Sequence, residues 1–117
     1  MRRIHPSLVA LAVGVMMPVV ASAGETDMVK LGEKIFMTKK LGNCLACHDV
    51  NGKKIDGPGS LGPKLQGLSM WPKEALYDKI YDPYTTNPIS AMPPFGKNGW
   101  LDDHQINALV AFLKTIK

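Results

Sequence analysis

Apolar residues recur at helical spacing near the start of the chain, between residues 25 and 40. Four of them keep the spacing that places side chains on one face of a helix: Met28, Leu31, Ile35 and Phe36. Gly32 lies on the same face, four residues before Phe36, although a glycine weakens a helix by about 1 kcal/mol relative to alanine. The pattern therefore predicts a helix over residues 25–40 that a second helix crosses closely at Gly32.

A second amphipathic segment near the end of the chain is the best partner for that crossing. Asp102 and Gln105 have the spacing of a capping box, in which each side chain binds the backbone N–H of the other residue at a helix start. An apolar stripe follows, made by Ile106, Leu109, Val110 and Leu113, with Phe112 and Ile116 beside it. We expect a helix that begins at this cap and packs on the first helix.

A third, middle helix is predicted to run from Pro72 in its first turn to about Asp82, where Pro83 stops it. Strand patterns, internal repeats and low-complexity tracts are absent from the sequence, and long segments rich in glycine and proline join the helical ones. The sequence therefore predicts an all-α domain of three to four short helices.

The first 23 residues have the features of a cleaved secretion signal. Arg2 and Arg3 provide a positive start, residues 8–20 are mostly apolar, and residues 21–23 (ASA) form a small-x-small cleavage site. An apolar run of about 13 residues is shorter than the roughly 20 needed to span a bilayer, which disfavours the alternative of a retained membrane anchor. We expect residues 24–117 to form one periplasmic domain with no membrane span after cleavage.

Composition adds two restrictions to this picture. Losing Arg2 and Arg3 with the signal lowers the formal net charge from +4 to +2 and leaves a domain without arginine. Its lysines are scattered along the chain and not clustered in a basic stripe, which argues against nucleic-acid binding. A domain this small buries a low fraction of its surface, so a large apolar cofactor would supply much of the missing core.

Both cysteines of the chain lie in one motif, Cys44-Leu45-Ala46-Cys47-His48. A disulfide across two intervening residues restrains the unfolded chain little, a thioredoxin-like pair would need a βαβ context, and zinc would need further ligands. A histidine directly after the second cysteine is instead typical of covalent haem c attachment. We expect Cys44 and Cys47 to bind one edge of a single haem c and His48 to be the proximal iron ligand.

Residues 57–65 (GPGSLGPKL) are too rich in glycine and proline for regular structure and are predicted to line the proximal side of the haem. A ligating histidine normally donates its other ring N–H to a carbonyl or carboxylate group. The Pro63 carbonyl suits this role because the proline ring fixes φ, and Leu61 and Leu65 can pack on the haem. The alternative is an ordinary surface loop.

The distal iron ligand is sought among histidines and methionines after residue 23. His104 falls at the start of the last helix and is expected to be solvated, whereas Met28 and Met37 lie on the first helix and are expected to fill core space. Met70 follows Leu65 by only five residues. Met92 begins a stiff proline-rich loop, MPPFG, after a connection long enough to reach the opposite face of the haem. We therefore predict Met92 as the distal ligand.

Ligation by histidine and methionine raises the reduction potential of a haem relative to two histidines. It also leaves no open coordination position, which favours an electron carrier over an oxygen-binding haem protein. With no arginine, the haem propionates must be held by Trp71, Trp100, Asn98, lysines or backbone amides, and the sequence leaves this choice open.

Short helices, long loops rich in glycine and proline, and a CxxCH motif near the end of the first helix together resemble the class I cytochromes c, in which the first and last helices cross at a glycine. Within that class, three stretches resemble the SoxX family, the monohaem subunits of the SoxAX cytochromes of bacterial thiosulfate oxidation. They are residues 42–48 (GNCLACH), residues 57–67 (GPGSLGPKLQG) and residues 76–96, which end in AMPPFG. The third stretch is the most specific, because haem chemistry does not itself require the Asp82 and Asn87-Pro88 approach to Met92. The resemblance implies the class I cytochrome c fold around a covalently bound haem.

The resemblance also implies a function. SoxAX joins thiosulfate oxidatively to a cysteine of the carrier complex SoxYZ, as an L-cysteine S-thiosulfotransferase whose bond-forming haem lies in SoxA. The SoxX haem, with His48 and Met92 as the matching ligands here, receives the electrons and passes them to a small soluble cytochrome c. This chain would then be the non-catalytic, electron-accepting subunit of a heterodimer with a SoxA-like cytochrome.

A free-standing periplasmic electron shuttle of the same fold is the alternative. A shuttle would surround an exposed haem edge with lysines that give salt-sensitive encounters, and the candidates are Lys39, Lys40, Lys64 and Lys97. A permanent subunit would instead expose an apolar patch near the haem, and the candidates are Met70, Trp71, Pro93, Pro94, Phe95 and Trp100.

Overall fold

The structure is a computed structural model that describes residues 10–15 and 23–117. The predicted secretion signal at residues 1–23 lies largely outside these ranges, so its cleavage stays a prediction. Residues 10–15 are exposed and have no regular secondary structure. Across the described ranges, no helix combines the length and the apolar character that crossing a membrane requires.

Three α-helices form the framework of the described residues: α1 (Ala23–Met37), α2 (Lys73–Tyr81) and α3 (Asp103–Leu113). Three short 3-10 turns lie between them, at Cys44–Ala46, Leu68–Met70 and Pro83–Thr85. The strand-like pairing found in these ranges is one isolated bridge between Val50 and Leu65. The prediction of an all-α domain with three to four helices is confirmed.

The bounds of the first two helices differ slightly from the prediction. α1 ends at Met37 and not near residue 40, because the backbone N–H groups of Leu41 and Asn43 both bind the Thr38 carbonyl, which turns the chain away from the helix axis. In α2, Pro72 is the N-cap residue and does not lie inside the first turn. Both differences concern only the helix bounds, and the cysteine motif still lies in the connection between α1 and α2.

The helices α1 and α3 cross at Gly32, as the sequence predicts. A Cβ atom at Gly32 would overlap the Ala108 carbonyl oxygen and lie 2.6 Å from the Ala108 carbonyl carbon. Beside this contact, the rings of Phe36 and Phe112 pack edge to face with centroids 5.4 Å apart, an arrangement that adds to their apolar burial. The absence of a side chain at Gly32 is thus what allows the two helices to share one core.

The start of α3 is fixed by the predicted capping box. The Gln105 backbone N–H donates to the Asp102 carboxylate over 2.8 Å, and the Asp102 N–H donates to the Gln105 side-chain oxygen over 2.9 Å. α2 is tied to the same end of α3, because the Tyr77 hydroxyl donates to the Asp103 carboxylate over 2.7 Å. This hydrogen bond raises the pKa of the Tyr77 hydroxyl above its ordinary value.

Candidate haem-binding site

A cavity of about 640 Å³ opens between the three helices and the long loops. Its volume lies within the range of roughly 300–1,000 Å³ that is usual for ligand and cofactor sites. Apolar side chains from every helix line it: Phe36, Leu76, Ile80, Leu109 and Leu113. The residues predicted to attach the haem, to bind its iron or to flank its proximal side line it as well: Cys44, Cys47, His48, Leu61, Pro63, Leu65 and Met92.

The cysteine motif reaches the cavity through the 3-10 turn at Cys44–Ala46. Asn43 precedes the turn in the left-handed region, with φ of 48°. The backbone N–H groups of Cys47 and His48 then both bind the Cys44 carbonyl, over 3.1 and 3.0 Å. This tight turn directs the two thiols and the imidazole toward the same cavity, although they are close neighbours in sequence.

The two cysteines are not joined in a disulfide. Burial raises the pKa of the Cys44 thiol to about 12, so in the chain without its cofactor this thiol stays protonated at neutral pH. A thiol-disulfide enzyme needs a reactive thiolate. The environment of Cys44 therefore disfavours that class of function for the motif.

The segment at residues 57–65 is clamped onto the cysteine motif by backbone hydrogen bonds, and it is not an ordinary surface loop. Three N–H groups of the segment donate to carbonyls of the motif and its neighbours, over 2.8–2.9 Å: Gly59 to Leu45, Gly62 to Cys47 and Leu65 to Asp49. A Cβ atom at Gly59 would overlap the Ala46 carbonyl, and one at Gly62 would overlap the His48 ring. Glycine is required at both positions for this close approach.

His48 has a fixed orientation in this clamp. Its Nδ1 lies 2.7 Å from the Pro63 carbonyl oxygen, which accepts the hydrogen bond that an Nδ1–H donates. In the neutral imidazole this contact places the proton on Nδ1 and leaves Nε2 as the nitrogen that can bind a metal ion. Pro63 thus supplies the carbonyl that the sequence analysis expects.

Met92 enters the cavity from a different segment of the chain. Its backbone is held by Ser90, whose hydroxyl accepts a hydrogen bond from the Met92 N–H over 3.1 Å and donates to the Met92 carbonyl over 3.2 Å. Ser90 itself follows a turn in which its N–H binds the Asn87 carbonyl over 3.0 Å. The sequence did not identify Ser90, because a single serine in a loop has no pattern that separates it from other polar residues.

The far side of the Met92 loop is anchored to the end of α2. A Cβ atom at Gly96 would overlap the Tyr81 ring, and the Lys97 N–H binds the Tyr81 carbonyl over 3.0 Å. The Lys97 ammonium also lies 3.5 Å from the Asp82 carboxylate. Asp82 in turn accepts the Tyr84 N–H over 3.1 Å, which starts the 3-10 turn at Pro83–Thr85. Residues 76–96 therefore act as one structural unit that positions Met92.

The other histidine and methionine candidates lie away from the cavity. His104 is exposed in the first turn of α3, and Met70 is 86% exposed. Met28 and Met37 are half-buried against the core, as predicted. Of the methionines in the described residues, Met92 is the one that shares the cavity with His48.

The residues that meet in this cavity fit a haem c. Two thiols one turn apart match the attachment motif, and an imidazole nitrogen and a thioether from separate segments match the axial ligands of the cytochromes c. The clamp around His48 and the two glycines in it form a built cradle on the proximal side. Asn87, which belongs to the predicted approach to Met92, also lines the cavity, as do four polar residues that the sequence does not distinguish: Asn43, Gln66, Lys79 and Ser90.

Comparisons with known proteins agree with this geometry. The family model described as cytochrome c oxidase, cbb3-type, subunit III matches residues 27–113. Among solved structures, a chain in the crystal structure of SoxXA from P. pantotrophus has a TM-score of 0.66 and 29% sequence identity, over 74% of this chain and 79% of that one. That match confirms the predicted cytochrome c fold.

Two curated proteins share parts of the sequence. An uncharacterized lipoprotein of Aquifex aeolicus (strain VF5) is 39% identical over 77 residues, which is 63% of this chain and 36% of that protein. Cytochrome c oxidase subunit 2 of Bacillus subtilis (strain 168) is 32% identical over 106 residues, which is 82% of this chain and 28% of that protein. The chain thus spans about a third of the length of these curated relatives.

Proposed function

The chain belongs to the cytochrome c family described as cytochrome c oxidase, cbb3-type, subunit III, and on that premise we propose that it is the monohaem electron-transfer subunit of a periplasmic SoxAX-type complex. The observation that carries the electron-transfer role is the meeting of Cys44, Cys47, His48 and Met92 in one apolar cavity. This arrangement would hold one haem c, with the residues for its attachment and for its iron all supplied by one chain.

Each residue of the site has a distinct part in this proposal. Cys44 and Cys47 would hold the haem through thioether bonds, and His48 and Met92 would bind its iron. The haem supplies reversible one-electron chemistry at its iron. The Pro63 carbonyl fixes the orientation of His48, and Met92 fills the position at which a substrate or oxygen would bind.

The apolar walls of the cavity set the environment of the iron. Side chains such as Phe36 and Leu109 are 1% exposed, so this part of the cavity lining is apolar and shielded from solvent. A dry apolar pocket and a thioether ligand are both means by which a protein tunes the haem potential. The site is therefore suited to electron relay and has no position for bond-forming chemistry on a substrate.

The assignment to a SoxAX-type complex is supported by the likeness to a chain of SoxXA and by the three sequence stretches that resemble SoxX. The partner is then a SoxA-like cytochrome, which joins thiosulfate to a cysteine of a SoxYZ-type carrier. Forming that sulfur–sulfur bond releases the thiol proton and two electrons. This chain accepts the electrons one at a time and passes them to a small soluble cytochrome c.

The free-standing shuttle is the second candidate, and the arrangement of lysines does not favour it. Of the four lysines expected to surround the haem edge, only Lys64 lines the cavity. Lys97 is paired with Asp82 at the base of the Met92 loop, which partly compensates its charge. Fast, salt-sensitive encounters depend on several uncompensated lysines around the cofactor edge, and the cavity lining supplies one of the four expected.

The predicted apolar patch is present in part. Met70, Trp71 and Trp100 are 86%, 46% and 59% exposed, and Trp71 also lines the cavity. The prediction was wrong for Pro94, which is buried, because the loop folds onto itself and the Pro94 carbonyl accepts the Asn98 N–H over 2.9 Å. Pro93 and Phe95 are half-buried. Met70, Trp71 and Trp100 are therefore the candidates for apolar contact with a stable partner.

The subunit proposal predicts how the protein elutes from its native periplasm. We expect this chain to elute from a size-exclusion column together with a second haem protein. The association should persist at high salt, because apolar contacts are not screened as charge pairs are. Elution as a lone monomer at native concentration would contradict the subunit proposal and favour the shuttle.

A further inference from the structure

The absence of arginine from residues 24–117 leaves the propionate groups of a haem without their most suitable partner. The structure narrows the choice that the sequence leaves open. Trp71 lines the cavity, whereas Trp100 and Asn98 do not. Among the lysines, only Lys64 and Lys79 line it.

Lys79 and Trp71 share a second feature that Lys64 lacks. Both side chains also line a smaller cavity of about 310 Å³, which α2 forms with the 3-10 turn at Pro83–Thr85. They therefore stand between the main cavity and a side cavity. A polar group in the main cavity could therefore approach both side chains.

The Lys79 ammonium and the Trp71 indole N–H can both still donate hydrogen bonds to a ligand. The Lys79 ammonium donates to the Thr86 hydroxyl over 2.6 Å, and a neutral hydroxyl does not compensate its charge. Within residues 10–15 and 23–117, Lys79 has no ion pair and the Trp71 indole N–H has no hydrogen bond. The Trp71 main chain is nevertheless fixed, because its carbonyl accepts a hydrogen bond from Lys114.

The position of the pair suits the propionate edge of a haem. The vinyl-derived carbons and the propionates of a haem c lie on opposite edges of the porphyrin. The turn that carries the cysteines packs against α1, whereas α2, which carries Lys79, packs against α3. The cysteines and Lys79 thus belong to different walls of the cavity.

We propose that Lys79 and Trp71 form the site that binds a haem propionate, in an inference that rests on the proposed binding of haem c. Lys79 supplies the cation, and the indole N–H of Trp71 supplies a second, neutral donor. A hydrogen bond between a cation and a carboxylate is stronger than one between neutral groups. Lys79 and Trp71 together would replace an arginine as the partner of the propionate. They would favour its ionised form, and Lys79 would compensate its charge.

The test is the reduction potential of the haem-loaded protein, measured as a function of pH. Other titratable groups that line the two cavities are His48, Lys64 and Asp78, with the two cysteines consumed by the haem. In Lys79→Gln the uncompensated propionate should lower the potential and make it depend on pH near neutrality, where the wild type is flat. Lys79→Arg should restore the wild-type profile.

Two further lysine variants serve as comparisons. Lys73→Gln removes the same charge from an exposed position on the same helix that does not line the cavity, and should leave the profile flat. Lys64→Gln tests the other lysine of the cavity. An effect in Lys64→Gln without one in Lys79→Gln would overturn the assignment, as would identical profiles for Lys79→Gln and Lys73→Gln.

A spectroscopic readout tests the tryptophan. Trp71→Phe keeps an aromatic ring but removes the N–H, so it should shift the propionate bending band in the resonance Raman spectrum, as Lys79→Gln should. An unshifted band in both variants would refute the proposal. Haem that stays with the denatured chain in all variants shows that haem attachment is intact, whereas its absence from the wild type would refute the proposed function itself.

Discussion

A Met92→Ala variant is expected to lose the weak near-infrared absorbance that arises from sulfur-to-iron charge transfer, and its reduction potential should fall. Within residues 10–15 and 23–117, Met92 is the methionine that shares the cavity with His48, so alanine should leave the distal position to water or a weak ligand. Axial ligands span roughly 0.8 V of haem potential in proteins, and we expect the fall to be a sizeable part of that range. Optical spectra and a redox titration measure both effects.

Met70→Ala is the matched control for this experiment. Met70 is 86% exposed and lies away from the cavity, so its loss should change neither the near-infrared band nor the potential. Removal of Met92 should leave haem attachment intact, because Cys44 and Cys47 lie on another segment. An unchanged spectrum in Met92→Ala would rule out Met92 as the ligand. Loss of the near-infrared band in Met70→Ala would indicate that Met70 is the ligand instead.

A Gly32→Ala variant should lose about 2 kcal/mol or more of the free energy of unfolding. Two effects oppose each other at this position. Alanine favours an isolated helix by about 1 kcal/mol, but its Cβ would overlap the Ala108 carbonyl of α3. Because the obstacle is backbone, α1 and α3 must move apart, which loosens the contact between Phe36 and Phe112. Urea unfolding of the haem-loaded protein measures the loss.

Gly24→Ala adds the same methyl group to the same helix where nothing lies within 4 Å of it. This control should change the free energy of unfolding by less than about 1 kcal/mol, because the position is close to the helix start. If Gly32→Ala and Gly24→Ala had equal free energies of unfolding, the close contact between α1 and α3 at Gly32 would not contribute to the stability of the fold.

The local features of the fold were predictable because each depends on neighbouring residues. The capping box of Asp102 and Gln105 is a short-range motif, and the crossing at Gly32 follows from a glycine on an otherwise apolar helix face. The predicted end of α1, near residue 40, was wrong. The helix ends at Met37 because the turn at Thr38 depends on backbone hydrogen bonds that no residue pattern indicates.

The candidate site was predictable for the residues whose chemistry is distinctive. Cys44, Cys47 and His48 are named by their spacing, and Met92 by its stiff loop. The reasons for the glycines could not be read from the sequence: Gly62 is needed because the His48 ring lies against it, and Gly96 because the Tyr81 ring does. These are contacts between segments far apart in the chain, and only the folded structure brings them together.

Lys79 is a residue of the candidate site that the sequence does not identify. In the sequence it is one of many lysines, and no motif separates it from the others. Only the cavity shows that it stands beside Trp71. The burial of Pro94 is a further case, because the fold of the loop back onto itself outweighs the exposure that its position in a proline-rich loop suggests.

The most direct test of the central claim is the intact mass of the protein purified from its periplasm, combined with a thiol assay and a pyridine haemochrome spectrum. We expect the mass of residues 24–117 plus one haem, no titratable thiol, and the spectrum of a haem whose two vinyl groups are saturated. A bare chain with two free thiols at Cys44 and Cys47, or with a disulfide between them, would contradict the assignment of this site to haem c.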